Sequence, residues 1–238
     1  MSQILIIGAS GEIGQAIVRE LSQFSHQFIL HYHQNNKAIN ELASDLNEDQ
    51  LLMTIRADLT EPKDIDSLMM SIPFSIDIII FAQGQAHYGM FKETTASQID
   101  DLYQTHVKST MLITKHFLPQ MIRKQSGNII VVTSIWGEVG ASYEVAYSTM
   151  KGAQISFVKA LAKEVGNSGI KVNAVSPGLI NTKMNLEIEA SELDKFEKTI
   201  PLQRKGKVKD VANTVKFLCS KDSSYIHGQI IKINGGML

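Results

Sequence analysis

Residues 4–14 read Ile4-Leu5-Ile6-Ile7-Gly8-Ala9-Ser10-Gly11-Glu12-Ile13-Gly14. The first four form an uninterrupted apolar run of buried-strand length. The glycines then let the chain turn tightly. They also let backbone N–H groups approach a phosphate at a helix N-terminus. From Ile13 onward apolar residues recur at helical spacing, at Ile17, Leu21 and Phe24. Working outward, strand-like runs fall at 28–33, 51–57, 76–82, 128–134, 171–176 and 229–233. Helical patterns fall between them at 37–46, 62–70, 95–124, 144–165 and 207–219. Pro119 predicts a break in the long 95–124 stretch. Segment 181–200 is polar and carries no strand pattern. Alternating strands and helices predict an α/β fold, a single doubly wound parallel sheet with helices on both faces. Ligands of such sheets bind beyond the carboxyl ends of the strands.

The chain has 238 residues, 44% hydrophobic and 20% charged, with a formal net charge of −1. That composition supports one full core, and no linker or repeat divides residues 1–238. A near-neutral chain lacks the long-range field that draws a protein to nucleic acid or to a membrane surface, so no nucleic-acid or membrane partner is expected. No apolar run approaches the roughly 18 residues of a membrane helix. The opening MSQILIIGAS lacks a basic n-region, so a cytoplasmic protein is expected. The single Cys219 excludes an intrachain disulfide framework and a multi-cysteine metal site, and no metal is expected.

Tyr147-Ser148-Thr149-Met150-Lys151 lies near the start of the 144–165 helix. Residues four apart share a helix face, so the phenol and the ammonium lie side by side. A free phenol has a pKa of about 10. A nearby cation predicts a lower value, from which the phenol passes a proton to a ketone oxygen. Ser134 ends the preceding strand, thirteen residues before Tyr147.

Together these features resemble the short-chain dehydrogenase/reductase family, and most of all its beta-ketoacyl-acyl-carrier-protein reductases. The resemblance covers nearly the whole chain, through Val172-Asn173-Ala174-Val175-Ser176-Pro177-Gly178 with Thr182, and through Asn234-Gly235-Gly236-Met237. It implies a Rossmann-type domain with a lid at about 181–200. It also implies catalysis by Ser134, Tyr147 and Lys151. A nicotinamide cofactor would be held by Gly8, Ser10, Gly11, Glu12, Ile13 and Gly14 at the turn, and by Asp58 and Leu59 near the adenine. Ala82 and Gly84 would follow the fourth strand. Pro177, Gly178, Ile180 and Thr182 would lie by the nicotinamide, with Tyr147 and Lys151 beside its ribose. The family commonly forms homotetramers, so a homotetramer or homodimer is expected.

Three departures stand out. Glu12 replaces the middle glycine of the usual Gly-x-x-x-Gly-x-Gly turn. Phe81-Ala82-Gln83-Gly84 replaces Asn-Asn-Ala-Gly. His106 replaces the asparagine twenty-eight residues before the serine, which in the family holds a proton-relaying water. An imidazole there predicts an activity inflection at about pH 6–7.

The second strand ends in His31-Tyr32-His33-Gln34-Asn35-Asn36-Lys37, without the acid that binds a ribose 2′-hydroxyl. NADP(H) is therefore expected over NAD(H), with His33, Asn35 and Lys37 near the 2′-phosphate. The implied substrate is a 3-oxoacyl group on acyl-carrier protein. Two alternatives stand beside it: the 5-aminopentanone group on modified elongation factor P, and a non-catalytic NADP-binding regulator. The arginines by which the family docks an acidic carrier align with Gln125 and Ser168, whereas Arg204, Lys205, Lys207 and Lys209 form another basic cluster. Glu138 and Glu144 flank the segment between Ser134 and Tyr147, and two carboxylates there favour a cationic substrate group.

Overall fold

The computed structural model describes residues 1–184 and 189–238; residues 185–188 of the expected lid lie outside the described residues. Seven parallel strands form one sheet: β1 (Gln3–Ile7), β2 (Gln27–Tyr32), β3 (Leu51–Arg56), β4 (Ile78–Phe81), β5 (Gly127–Val132), β6 (Ile170–Pro177) and β7 (Ile230–Ile233). Their spatial order is β3-β2-β1-β4-β5-β6-β7. The order reverses between β1 and β4, so the crevice of this Rossmann-like fold opens there.

The apolar strand runs reflect burial on both faces. Ile4 and Ile6 of β1 pack with α1 (Glu12–Leu21), α2 (Asn36–Ser44) and α9 (Val208–Cys219). Leu5 and Ile7 face the other way, into the layer of α3 (Pro62–Met70), α5 (Ser109–Lys124) and α7 (Val145–Val165). Each strand residue alternates sides, and both sides are covered.

The long helical stretch is irregular rather than broken, and not at Pro119. Pro119 lies inside α5 on its exposed side, where water satisfies the carbonyl that proline leaves without a partner. The irregularity comes earlier. α4 (Ala96–Leu102) passes into a π-helical turn, Tyr103–Lys108, before α5 begins. Widening the turn frees carbonyls, and side chains take them up. Thr105 O accepts from Ser109 Oγ at 2.6 Å, and His106 O accepts from Gln154 Nε2 at 2.7 Å. Two further helices carry no strong sequence signal: α6 (Trp136–Val139) and α8 (Ala190–Lys198).

The glycine turn is set by space. Gly8 has φ +82°, and a Cβ on it would meet Gln83 N at 2.5 Å. A Cβ on Gly14 would lie 2.2 Å from Gly8 O, whereas one on Gly11 would meet that oxygen at 3.4 Å. Gly14→Ala should therefore cost about 1–3 kcal/mol through forced backbone movement, and Gly11→Ala should be tolerated. Thermal melting of the two variants checks this, and equal melting temperatures would contradict it.

Candidate active site

A cleft of about 510 Å³ opens beyond the carboxyl ends of the strands. Of the residues expected to hold the cofactor, Ile13, Ala82, Gly84, Pro177, Gly178 and Thr182 line it. Ile180 lines it too. Gly11 is the N-cap of α1 and provides no side-chain cap, so the first-turn amides of α1 face the crevice uncapped. With Gly8 and Gly14 packed too closely for any side chain, this is a cradle that fits a dinucleotide pyrophosphate. The Ser10 carbonyl is held by Gln15 Nε2 at 2.9 Å. Glu12 turns across the cleft, where its Oε2 accepts from the backbone N–H of Lys183 at 2.6 Å. Its carboxylate therefore engages the segment after β6.

At the end expected to take the adenine, Asp58 accepts from Thr60 N and Thr60 Oγ1 at 2.9 and 2.7 Å and lies 3.2 Å from His33 Nε2. Burial alone would raise this carboxyl; the Thr60 bonds and the His33 imidazole outweigh it and hold the pKa low. Leu59 points into the core. The Asn35 side chain caps α2 by accepting from Ala38 N at 3.1 Å, so it serves the helix. Arg56, unmarked in the sequence reading, donates from Nε to His33 O at 3.2 Å and adds a cation at this end.

Ser134, Tyr147 and Lys151 come together on the opposite wall, with 8%, 7% and 2% of their surfaces exposed. β5 delivers Ser134 just beyond its end, and the first two turns of α7 deliver the other two. Gly137 makes this possible: a Cβ there would meet the Lys151 carbonyl carbon at 2.6 Å, so α6 lies directly on α7. Lys151 donates from Nζ to Val132 O at 2.9 Å. Its nitrogen sits 5.7 Å from the centre of the Tyr147 ring.

The expected lowering of the phenol pKa is reversed. Burial pushes Tyr147 above its usual range, the Glu144 carboxylate adds to the rise, and a hydrogen bond with Ser134 only partly opposes it. The amine is weakened for the same reason, as burial brings Lys151 down to about 7. The pair therefore presents a protonated phenol beside an easily neutralised amine.

His106 is fully buried in the π-helical turn, edge-on to Tyr147 with ring centroids 5.6 Å apart. Its Nε2 lies 2.9 Å from Gln85 O, and its Nδ1 has no partner among the described residues. Burial and, secondarily, the Lys151 charge bring its pKa down to about 3. The neutral-pH titration expected from sequence is thus corrected: the ring stays uncharged.

The substrate side corrects another expectation. Glu138 is turned away from the cleft, accepting from Ser176 Oγ at 2.6 Å and lying 3.4 Å from Lys232 Nζ. Glu144 does line the cleft. Burial raises its carboxyl to about 7, against a hydrogen bond from the Trp136 side chain. A second carboxylate that the sequence reading missed, Glu192 of α8, accepts from Tyr88 OH at 3.3 Å. Trp136 packs on Phe196 at 5.5 Å. The cleft thus holds two carboxylates in an aromatic frame.

The basic cluster is largely neutralised. Arg204 pairs with Asp210 at 2.9 Å, Lys205 with Glu197 at 3.4 Å and Lys209 with Glu20 at 3.2 Å. Gln125 closes the end of α5, and Ser168 sits in a short 3-10 turn.

A family model described as Enoyl-(Acyl carrier protein) reductase matches residues 8–238. The chain is 42% identical over 234 residues to the uncharacterised oxidoreductase YmfI of Bacillus subtilis (strain 168), covering 98% of this chain and 97% of that protein. It is 33% identical over 239 residues to the 3-oxoacyl-[acyl-carrier-protein] reductase FabG of Rickettsia bellii (strain RML369-C), covering 98% and 95%. Its fold matches a short-chain type dehydrogenase/reductase from Mycobacterium ulcerans with a TM-score of 0.90 and 24% identity, covering 99% of this chain and 89% of that one. It matches YwfH, an NADPH dependent reductase involved in bacilysin biosynthesis, also at 0.90, with 20% identity and coverage of 100% and 98%.

Because His106 is uncharged above about pH 3, His106→Asn should leave the pH–rate profile between about pH 6 and 8 superimposable on that of the wild type. An inflection near neutrality that disappears in the variant would show that the ring titrates after all.

Proposed function

The chain belongs to the short-chain dehydrogenase/reductase family, and from that premise we propose that it reduces a ketone to a secondary alcohol with NADPH, Tyr147 supplying the proton. The observation that carries this reading is the buried grouping of Ser134, Tyr147 and Lys151 at the mouth of β5, facing the glycine cradle. The reduced nicotinamide, when bound, supplies the hydrogen and two electrons that reduce the carbonyl carbon. The side chains manage the oxygen. Ser134 and Tyr147 are hydrogen-bonded to each other, and both line the cleft. As negative charge builds there, the protonated phenol is the nearby acid. The phenolate left behind is stabilised by Lys151, whose protonated form the new anion favours. A chain that kept only cofactor binding would have no need of this buried set, which argues for a catalyst over a regulator.

NADPH preference is supported by the Arg56 guanidinium at the end of β3, by His33 just after β2, beside Asp58, and by Lys37 in the first turn of α2, the β2 segment itself contributing no carboxylate. The FabG relative supports a 3-oxoacyl thioester as substrate. A specific observation favours the second reading, a cationic amino ketone such as the 5-aminopentanone group on elongation factor P. Glu144 and Glu192 line the cleft, whereas Arg204, Lys205 and Lys209 are paired with carboxylates. An ammonium is attracted to such carboxylates by about 1–4 kcal/mol, depending on solvation, and an acyl chain is not.

Initial rates with NADPH and NADH on an acetoacetyl thioester, 5-amino-2-pentanone and 2-pentanone test the proposal. NADPH should be preferred at least about tenfold in kcat/KM, and the amino ketone should outrun both other substrates. Since Glu144 ionises at about 7, KM for the amino ketone should rise as pH falls through that value. Glu144→Gln should abolish the rise, and 2-pentanone should show none. A tenfold preference for the thioester would overturn the amino-ketone reading, and a preference for NADH would overturn the cofactor reading.

Tyr147→Phe should lower kcat by about 10²–10⁴ and change NADPH affinity little, as measured by steady-state kinetics and cofactor fluorescence. Near-normal turnover would remove Tyr147 as the acid.

A further inference from the structure

His31 lies at the end of β2, with 2% of its surface exposed, and the reaction described above does not use it. Both its ring nitrogens are engaged. Nδ1 accepts from the backbone N–H of Gly8 at 3.0 Å, and Nε2 lies 3.1 Å from Ala57 O. An amide can only donate and a carbonyl can only accept, so this pair of contacts fixes one neutral tautomer, with hydrogen on Nε2. Burial agrees, bringing the ring down to about 4, so it is uncharged across the working pH range. The backbone of the same residue adds a third tie, its carbonyl accepting from Ala9 N at 2.8 Å.

The placement of these ties matters. Gly8 opens the glycine turn in a left-handed conformation, pressed against the backbone of Gln83. Ala57 precedes Asp58 at the exit of β3, the adenine end of the crevice. One imidazole therefore links the pyrophosphate turn to the adenine end of the site through the interior. The amide it accepts belongs to the residue whose carbonyl lies closest to Gly14, at the start of α1.

We propose that His31 is a positioning residue for the cofactor, whose Nδ1 holds the Gly8 amide so that the turn and the first-turn amides of α1 stay aimed at the pyrophosphate. It rests on the reading of that turn as a dinucleotide cradle. The bond to Gly8 is the one that counts for binding, and the bond to Ala57 braces the ring.

Two variants separate the bonds. In His31→Asn the side-chain oxygen falls where Nδ1 was and still accepts from Gly8, but the reach to Ala57 is lost. In His31→Gln the longer side chain reaches toward Ala57 and leaves the Gly8 amide without its buried acceptor. NADPH dissociation constants from cofactor fluorescence, melting temperatures, and kcat and KM with one ketone are measured for both. His31→Gln should weaken NADPH binding about tenfold, with kcat little changed. His31→Asn should bind NADPH close to the wild-type strength, whatever its melting temperature. Equal weakening in both variants, in proportion to lost melting temperature, would make His31 merely structural and overturn the proposal. Wild-type affinity in His31→Gln would overturn it as well. Should His31→Gln not fold, weak binding by His31→Asn alone would suffice to reject it. Failure of the wild type itself to bind NADPH would strike at the cofactor reading, a separate result from either variant pattern.

Discussion

The contact between Gly8 and the backbone of Gln83 is the constraint on which the rest of the site depends. β1 and β4 are neighbours in the sheet, and their exits diverge to helices on opposite faces. A side chain at Gly8 would wedge those exits apart, because its Cβ would lie 2.5 Å from a peptide nitrogen. Without that wedge the chain after β4 lies over the glycine turn, and Gly84 reaches the cleft. The same approach seats Gln83 deep enough to touch the π-helical turn, with Nε2 at 3.3 Å from Thr105 O, and the start of α5, at 3.0 Å from Thr110 Oγ1. Backbone spacing at one residue thus links the cofactor cradle to the wall that supports Tyr147.

Where the chain departs from the pattern of its family, the interior is rebuilt around larger side chains. Gln83 braces a helix from a position where the family carries an alanine. It donates to Thr110 and, at 3.3 Å, to Thr105 O, while Gln154 takes the carbonyl of His106. His106 fills the remaining space with a neutral ring. These side chains keep the wall behind the phenol buried, and that burial is what raises Tyr147 and lowers Lys151. Low dielectric keeps the acid protonated until negative charge arrives next to it.

The sheet was legible because its strands are buried on both faces and read as plain apolar runs, Ile4–Ile7 being the plainest. Tyr147 and Lys151 were legible as neighbours because residues four apart share a helix face, and Ser134 joined them through the family resemblance. α6 was not, since four residues hold too little periodicity, and α8 was not, since its sequence is mostly charged. Side-chain direction was also hidden. Glu138 and Glu144 look alike in the chain, yet Ser176 and Lys232 draw one away while Trp136 holds the other at the cleft. Nor does sequence reveal protonation. His106 looks like a neutral-pH group until its burial is known.

The π-helical turn at Tyr103–Lys108 has a consequence for rotational phase. One extra residue in a helix turns everything after it by about 100°. Before the turn, Leu102 packs with Ala146 and Met150 near the start of α7. After it, Ile113, Phe117 and Met121 face the sheet and the later part of α7. A regular helix through the same residues would satisfy one of these sets and swing the other toward solvent. The bulge acts as a gear offset: it lets a single continuous rod present two differently oriented apolar stripes, one to the active-site helix and one to the sheet. Shortening the chain there by one residue would not merely straighten the helix. It would put the two stripes back in phase and cost the domain one of its two packing surfaces.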